Sequence, residues 1–429
     1  MKLVQKKWSV VVAVSILVLF SLQNVLALPQ EAENSNPEEK FPEKISATSG
    51  WEKIVSFPGL AVFFPVKILL KGTSKTIGWV EETKIAAKVQ DILKSDDERR
   101  ALVPTYSART GYGFKIYQRD LLNPNSKLTL SLSRGHRQRQ NYNLEFKRIQ
   151  MLSGLSRFNI QYQLLSDEPF FGLGLDSEFE NESNFAHEQF MGEFSYEKKL
   201  VSGILFGMQG GIESNKILRG KSKEIVSTTD VYTRYDLPGL SEKVEMGRVQ
   251  FLLSLDTRNR LGNPTSGWEA LATSGIFTEL QGDEFRFTKS TLDIKRYVHL
   301  FYNRYLVFRV AGEQNKPLDN SAIPFYYLSE LGERETIRGF ERGRYRDRDK
   351  VLGSLEYRYP LTQSKEKGIE AILFVDAGQV ANNLMENFAF DRFKIGFGGG
   401  FRIFNKEGMV AKVEFSRGTD GFRFYLVLN

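Results

Sequence analysis

From about residue 101 to the end of the chain, apolar side chains recur at every second position. Leu128, Leu130 and Leu132 alternate with Lys127, Thr129, Ser131 and Ser133, and Phe158, Ile160, Tyr162 and Leu164 alternate with Arg157, Asn159, Gln161 and Gln163. The same rhythm returns over 249–255, 409–415 and 422–428. Successive side chains of a strand face opposite ways, so each segment carries one apolar and one polar face. Strands covered on both faces read as continuous apolar runs, whereas strict alternation marks an antiparallel sheet that is wet on one side. A soluble sandwich and a membrane barrel both meet that condition, with the faces reversed.

The connections favour the barrel. Sixteen strands are predicted, the first near 102–109 and the last near 421–428. Alternate connections are short and turn-like: Asn123-Pro124-Asn125, Lys198-Lys199, Asn303 and 405–408. The intervening set holds the long ones, 166–184, 214–245 and 316–349. Outer-membrane barrels divide their connections in this way, with short periplasmic turns and long external loops. An even strand number also leaves both chain ends of the barrel on the periplasmic side. The expected fold is therefore a sixteen-stranded antiparallel transmembrane β-barrel over 101–429.

The first hundred residues differ in character. Lys2, Lys6 and Lys7 precede an apolar stretch over 8–22, and Val25-Leu26-Ala27 offers small residues for cleavage, so 1–27 reads as a cleaved export signal. A membrane anchor is the alternative, but that stretch is short for a span. Residues 28–50 are polar and proline-containing, as in a flexible linker. Within 51–100, Ile85, Val89, Ile92 and Leu93 follow helical spacing with Lys84, Lys88, Asp91 and Lys94 opposite. That amphipathic helix either packs on the protein, lies at the membrane surface or plugs the barrel mouth. The chain has no cysteine, which excludes disulfides and thiolate metal sites. Its formal net charge is +7, of which the signal supplies three lysines, and the modest remainder argues against a nucleic-acid partner. With 33 Phe and 17 Tyr the chain is aromatic-rich, as barrels with interfacial girdles are.

One basic loop and the two strands after it stand out. In 351–359 the apolar or small residues alternate so that Glu356 takes the opposite face, and in 369–378 Phe374, Asp376 and Gly378 do the same. Neighbouring strands thereby offer two carboxylates to one compartment. Ile337-Arg338-Gly339-Phe340 lies in the preceding loop, and an arginine's planar fork binds carboxylates bidentately. The plainer reading is a solvated loop, since 333–350 mixes seven basic with five acidic residues.

These segments resemble the motifs of the outer-membrane assembly superfamily that includes BamA, TamA and the two-partner secretion transporters. Ile337–Phe340 looks like its Arg-Gly-Phe/Tyr loop, and 374–378 (Phe-Val-Asp-Ala-Gly) looks like its Phe-x-Asp-x-Gly strand. Residues 353–360 are similar to its glutamate-bearing strand, and Asp256-Thr257-Arg258-Asn259 followed by 263–267 resembles its Asp-x-Arg…Pro-Thr-x-Gly turn. The resemblance covers about 101–429. It implies a sixth external loop folded inward, with Arg338, Gly339 and Phe340 at its tip and Glu356 and Asp376 on the lumen wall. It also implies a weak seam between the first and last strands, and Gly421, Phe424 and Leu426 are spaced like the family's C-terminal assembly signal. Two departures are plain: the chain ends in Leu428-Asn429 rather than an aromatic residue, and 28–100 shows no POTRA pattern. A member without POTRA modules is the expectation.

Other residues carry less. Gly396, Gly398 and Gly400 share the inward face of one strand and either make room for the loop or mark a bend. Asp256 and Arg258 suit an ion pair that shapes their turn. His136, His187 and His299 fall on separate segments without a nucleophile motif, although His187 could pair with a serine as in a barrel phospholipase; no enzyme, cofactor or metal is expected. The expected work is insertion or translocation of polypeptides or lipids at the bacterial outer membrane, with outer-membrane lipid and exported client polypeptides as partners. A passive transport barrel or a surface-exposed structural antigen is the alternative.

Overall fold

In a computed structural model, the structure describes residues 95, 97, 99–107, 109–260, 262–363, 367–405 and 408–428. The expected signal, linker and amphipathic helix lie outside the described residues, save for the last few positions before 101.

Sixteen strands form one antiparallel sheet in which sequence neighbours pair. They are β1 (Arg100–Ser107), β2 (Gly111–Arg119), β3 (Lys127–Arg134), β4 (Gln140–Met151), β5 (Gly154–Phe170), β6 (Ser183–Val201), β7 (Ile204–Arg219) and β8 (Lys243–Asp256). After them come β9 (Gly267–Glu279), β10 (Arg286–His299), β11 (Tyr305–Pro317), β14 (Asp349–Gln363), β15 (Lys367–Ala381), β16 (Lys394–Asn405), β17 (Met409–Gly418) and β18 (Gly421–Leu428). The remaining two, β12 (Ser329–Leu331) and β13 (Tyr345–Asp347), pair with each other inside the loop between β11 and β14.

The faces settle the choice between sandwich and barrel. Large apolar side chains stand exposed on one face, among them Phe158, Ile160, Phe190, Ile212, Val249 and Phe251. Charged groups on the other face are buried, including Glu213, Arg358, Glu370, Asp376, Arg402 and Glu414. A soluble sandwich buries its apolar face; this sheet is inside out, as a barrel in lipid must be.

The strand pattern corrects the sequence reading in two places. Lys198 and Lys199 are not a turn but pair with Phe206 and Leu205, and the chain reverses just after Val201, which pairs with Ile204. β5, β6 and β7 also run to 17, 19 and 16 residues, well past the nine to eleven or so that cross a bilayer. Their external ends carry polar residues that a loop would also carry, and tertiary packing makes them strands. Phe170, Phe185 and Ile217 at those ends pack on Leu237, Leu240 and Phe325 from two external loops. A second cluster joins Val244, Met246, Phe277, Phe285 and Phe287 to Ile323. The external loops thus form a packed cap over one end of the barrel.

Candidate functional site

The loop of 318–348, sixth of the external connections, is pinched by the β12–β13 pair, and its inner lobe runs from Gly332 to Arg344. Within that lobe Thr336 Oγ1 accepts from the Gly332 amide at 2.8 Å, and the Glu333 amide donates to the Phe340 carbonyl at 3.0 Å. Ile337 and Phe340 are buried together with Leu331, Tyr345, Leu352 and Val380. Two apolar anchors therefore bracket the intervening Arg338-Gly339. Gly339 has φ +98°, and a Cβ there would lie 2.6 Å from the backbone at Arg417–Gly418, so only glycine fits.

Held in this way, Arg338 meets the barrel wall and is 5% exposed. Its Nε and Nη2 donate to the two Asp376 oxygens at 2.7 and 2.8 Å, a bidentate fork, and its amide donates to Asp376 at 3.0 Å. Nη1 reaches Glu356 at 3.2 Å and Glu414 at 2.8 Å. The guanidinium carbon sits 3.4 Å from the centre of the Phe374 ring. Ser354 Oγ donates to Asp376 at 2.6 Å, which holds the carboxylate in place. Burial works against the charged guanidinium, but the Asp376 hydrogen bonds and the three carboxylates outweigh it and hold its pKa above the ordinary value.

The acids have further partners. Arg358 pairs with Glu356 at 2.7 Å and Lys412 with Glu414 at 2.8 Å, and Arg402 lies 4.0 Å from Glu356 and 3.6 Å from Glu370, so four carboxylates face four cations. Beside them lies a cavity of 210 Å³, lined by Lys295, Arg309 and Arg334 among others. Water fits there, so the pairing is enclosed without being dry.

The structure therefore brings Arg338, Glu356 and Asp376 together. Sequence reasoning missed Glu414, although the signal was present. The alternation of Met409, Ala411, Val413 and Phe415 that marks β17 turns Glu414 to the same side as Asp376. Of the C-terminal residues, Gly421 opens β18, while Phe424 and Leu426 point away from the lumen, 58% and 56% exposed. The opposite face of β18 touches the loop: the Gly339 amide donates to Tyr425 Oη at 3.3 Å, Tyr425 Oη donates to the Phe340 carbonyl at 3.3 Å, and Arg423 pairs with Glu341 at 2.8 Å.

At the β8–β9 turn, Arg258 pairs with Asp256 at 2.7 Å and Glu269 at 3.2 Å, and Asn259 Oδ1 accepts from the Thr265 amide at 3.0 Å. Those contacts shape the turn. His187 Nε2 and Asn215 Oδ1 are hydrogen-bonded at 3.0 Å, and the imidazole lies tilted against the Tyr326 ring.

Comparison with known proteins places this geometry in a family. The Omp85 superfamily domain matches residues 104–404. Among solved structures, BamA from Haemophilus ducreyi lacking POTRA domains 1–3 superposes with a TM-score of 0.56 at 16% identity, over 76% of this chain and 68% of that one. CdiB from Escherichia coli gives 0.48 at 9% identity, over 76% and 59%. CdiB from Acinetobacter baumannii gives 0.46 at 12%, over 77% and 59%. The chain thus spans 59% of either CdiB chain. No curated protein matches. The domain match covers more than half the chain, and the sheet has the barrel fold of BamA: the chain belongs to the Omp85 superfamily and is a β-barrel of the bacterial outer membrane.

Proposed function

We propose that this barrel assists insertion or translocation of polypeptides at the outer membrane, through a seam between β1 and β18 that opens sideways while the sixth loop keeps the lumen shut. The observation that carries the reading is a difference in length. The two strands that end the sheet have eight residues each, as the interior β3 also has, against 17, 19 and 16 for β5, β6 and β7. Any ladder that closes the barrel is therefore short, and it is the place where an incoming strand can add to an edge by main-chain hydrogen bonds. The relatives' names support polypeptide clients only by kinship; lipid is the second client class the barrel wall admits. Arg338, with Asp376, Glu356 and Glu414, is the lock in this reading, and Phe424 and Leu426 face the lipid beside the seam.

The test is made in living cells. Photocrosslinkers placed singly along 421–428 capture outer-membrane or exported polypeptides in transit, and paired cysteines joining β1 to β18 impair the protein when oxidised. Efficient oxidation with no loss in a complementation assay would favour a passive barrel instead.

A further inference from the structure

We propose that the outer wall of the barrel, at its periplasmic rim between β9 and β14, carries a site for the phosphate of an anionic phospholipid, built on Arg304, with Arg296, level with Phe308, a second outward cation on the neighbouring strand. On β10 the outward face is marked by Leu292, 41% exposed, and Arg296 shares its parity. On β11 the outward face is marked by Phe308 and Val310, 44% and 59% exposed, and Arg304 precedes Leu306 on that side. Both arginines therefore face lipid and not lumen, at the end where the short turns lie.

Aromatic rings surround them. Arg296 lies 4.8 Å from the centre of the Trp268 ring, and Arg304 lies 5.4, 5.6 and 5.0 Å from Phe301, Tyr302 and Tyr359. Among the described residues neither side chain has a carboxylate within ion-pair distance, whereas their inward neighbours Lys295 and Arg309 do. Arg304 is only 8% exposed, and its Nε and Nη1 are buried with no hydrogen-bond partner. A buried, unpartnered guanidinium is costly, most of all beside hydrocarbon. Rings over its faces leave the donors at its edge free, and those donors match phosphate oxygens. Tyr302, 43% exposed, is the most open of the three rings around Arg304 and marks the side from which a phosphate approaches. The periplasmic rim is at the depth of phospholipid headgroups, which fixes the ligand class.

The site does not depend on what the barrel transports. Its test uses the purified full chain in detergent, titrated with dioleoyl phosphatidylglycerol or with dioleoylglycerol, which lacks phosphate, and retained lipid is read by native mass spectrometry. The parent should hold the phosphatidylglycerol in clear preference. Arg304→Gln should cut its retention about tenfold or more, as for loss of a charge-assisted contact. Lys316→Gln, an equal charge change at the external end of β11, should leave it unchanged. Heat-modifiable mobility in gels shows which variants are folded. Equal retention of the two lipids by the parent overturns the site without any variant. So does an equal loss from Lys316→Gln.

Discussion

A Cβ added at Gly396 would lie 1.8 Å from the carbonyl oxygen of Arg338. The inner face of β16 is bare at that point because the loop backbone rests directly on it. The two glycines that follow are bare for another reason. At Gly400 a Cβ would meet the Val413 carbonyl at 2.0 Å, and at Gly398 the Phe415 carbonyl at 2.0 Å and the Phe374 ring at 2.8 Å. There β17 approaches too closely for a side chain. One glycine makes room for the loop and two make room for the neighbouring strand.

Gly396→Ala should therefore push the loop tip off the wall. Overpacking typically costs about 1–3 kcal/mol, and here the obstacle is backbone that no rotamer change can move. We expect a folded barrel with faster protease cleavage within 333–344 and raised conductance in planar bilayers. Gly353→Ala is the control, because a Cβ there meets nothing within 4 Å. Equal behaviour of the two variants would show that the loop does not bear on β16.

Tyr425→Phe removes one oxygen and with it both contacts between the last strand and the Gly339-Phe340 backbone. At 3.3 Å each these are long hydrogen bonds, so their combined worth sits near the lower end of about 0.5–1.5 kcal/mol per bond. Hydrogen exchange at 337–342 should quicken, and disulfide trapping across β1 and β18 should fall as β18 loosens. An unchanged exchange rate in that stretch would mean the strand and the loop are independent.

Topology gives a third test. An epitope tag at Asn181, in the β5–β6 connection, and one at Lys223, between β7 and β8, should be reached by antibody on intact cells. A tag at Asn125, in the β2–β3 turn, should not be reached until the outer membrane is opened. Surface labelling at Asn125 would reverse the orientation.

Much of this architecture was legible because a period of two is written into every strand. Alternation alone turned Glu356 and Asp376 to one side. The same rule reaches Glu414, but no loop motif drew attention to it, and its distance in sequence from Arg338 hid the contact. The external ends of β5, β6 and β7 were not legible. Residues such as Asp167, Glu168 and Lys216 have the composition of a loop, and they are held as strand by the cap that packs over Phe170 and Ile217. The outward Arg304 was also invisible, because nothing in a period of two says that a charge at a strand end lies under rings.

The Arg338 contacts permit the most decisive measurement. Removing one partner of a buried ion pair typically costs about 3–5 kcal/mol, because a charge is left stranded. The cavity beside Arg338, large enough for several waters, should lower that figure. In Arg338→Ala, Asp376, Glu356, Glu414 and Glu370 face Arg358, Lys412 and Arg402, one negative charge in excess. In Asp376→Asn, Arg338, Arg358, Lys412 and Arg402 face Glu356, Glu414 and Glu370, one positive charge in excess. The double variant restores the balance, so its cost should be clearly less than the sum of the singles. Glu414→Gln should resemble Asp376→Asn in sign but cost less, since Glu414 accepts one hydrogen bond from Arg338 and pairs with Lys412, where Asp376 accepts the bidentate fork, the Arg338 amide and the Ser354 hydroxyl. Protease sensitivity of 333–344 and bilayer conductance report the loop in each variant. Singles that match the parent, or effects that simply add, would make Arg338 an ordinary loop arginine.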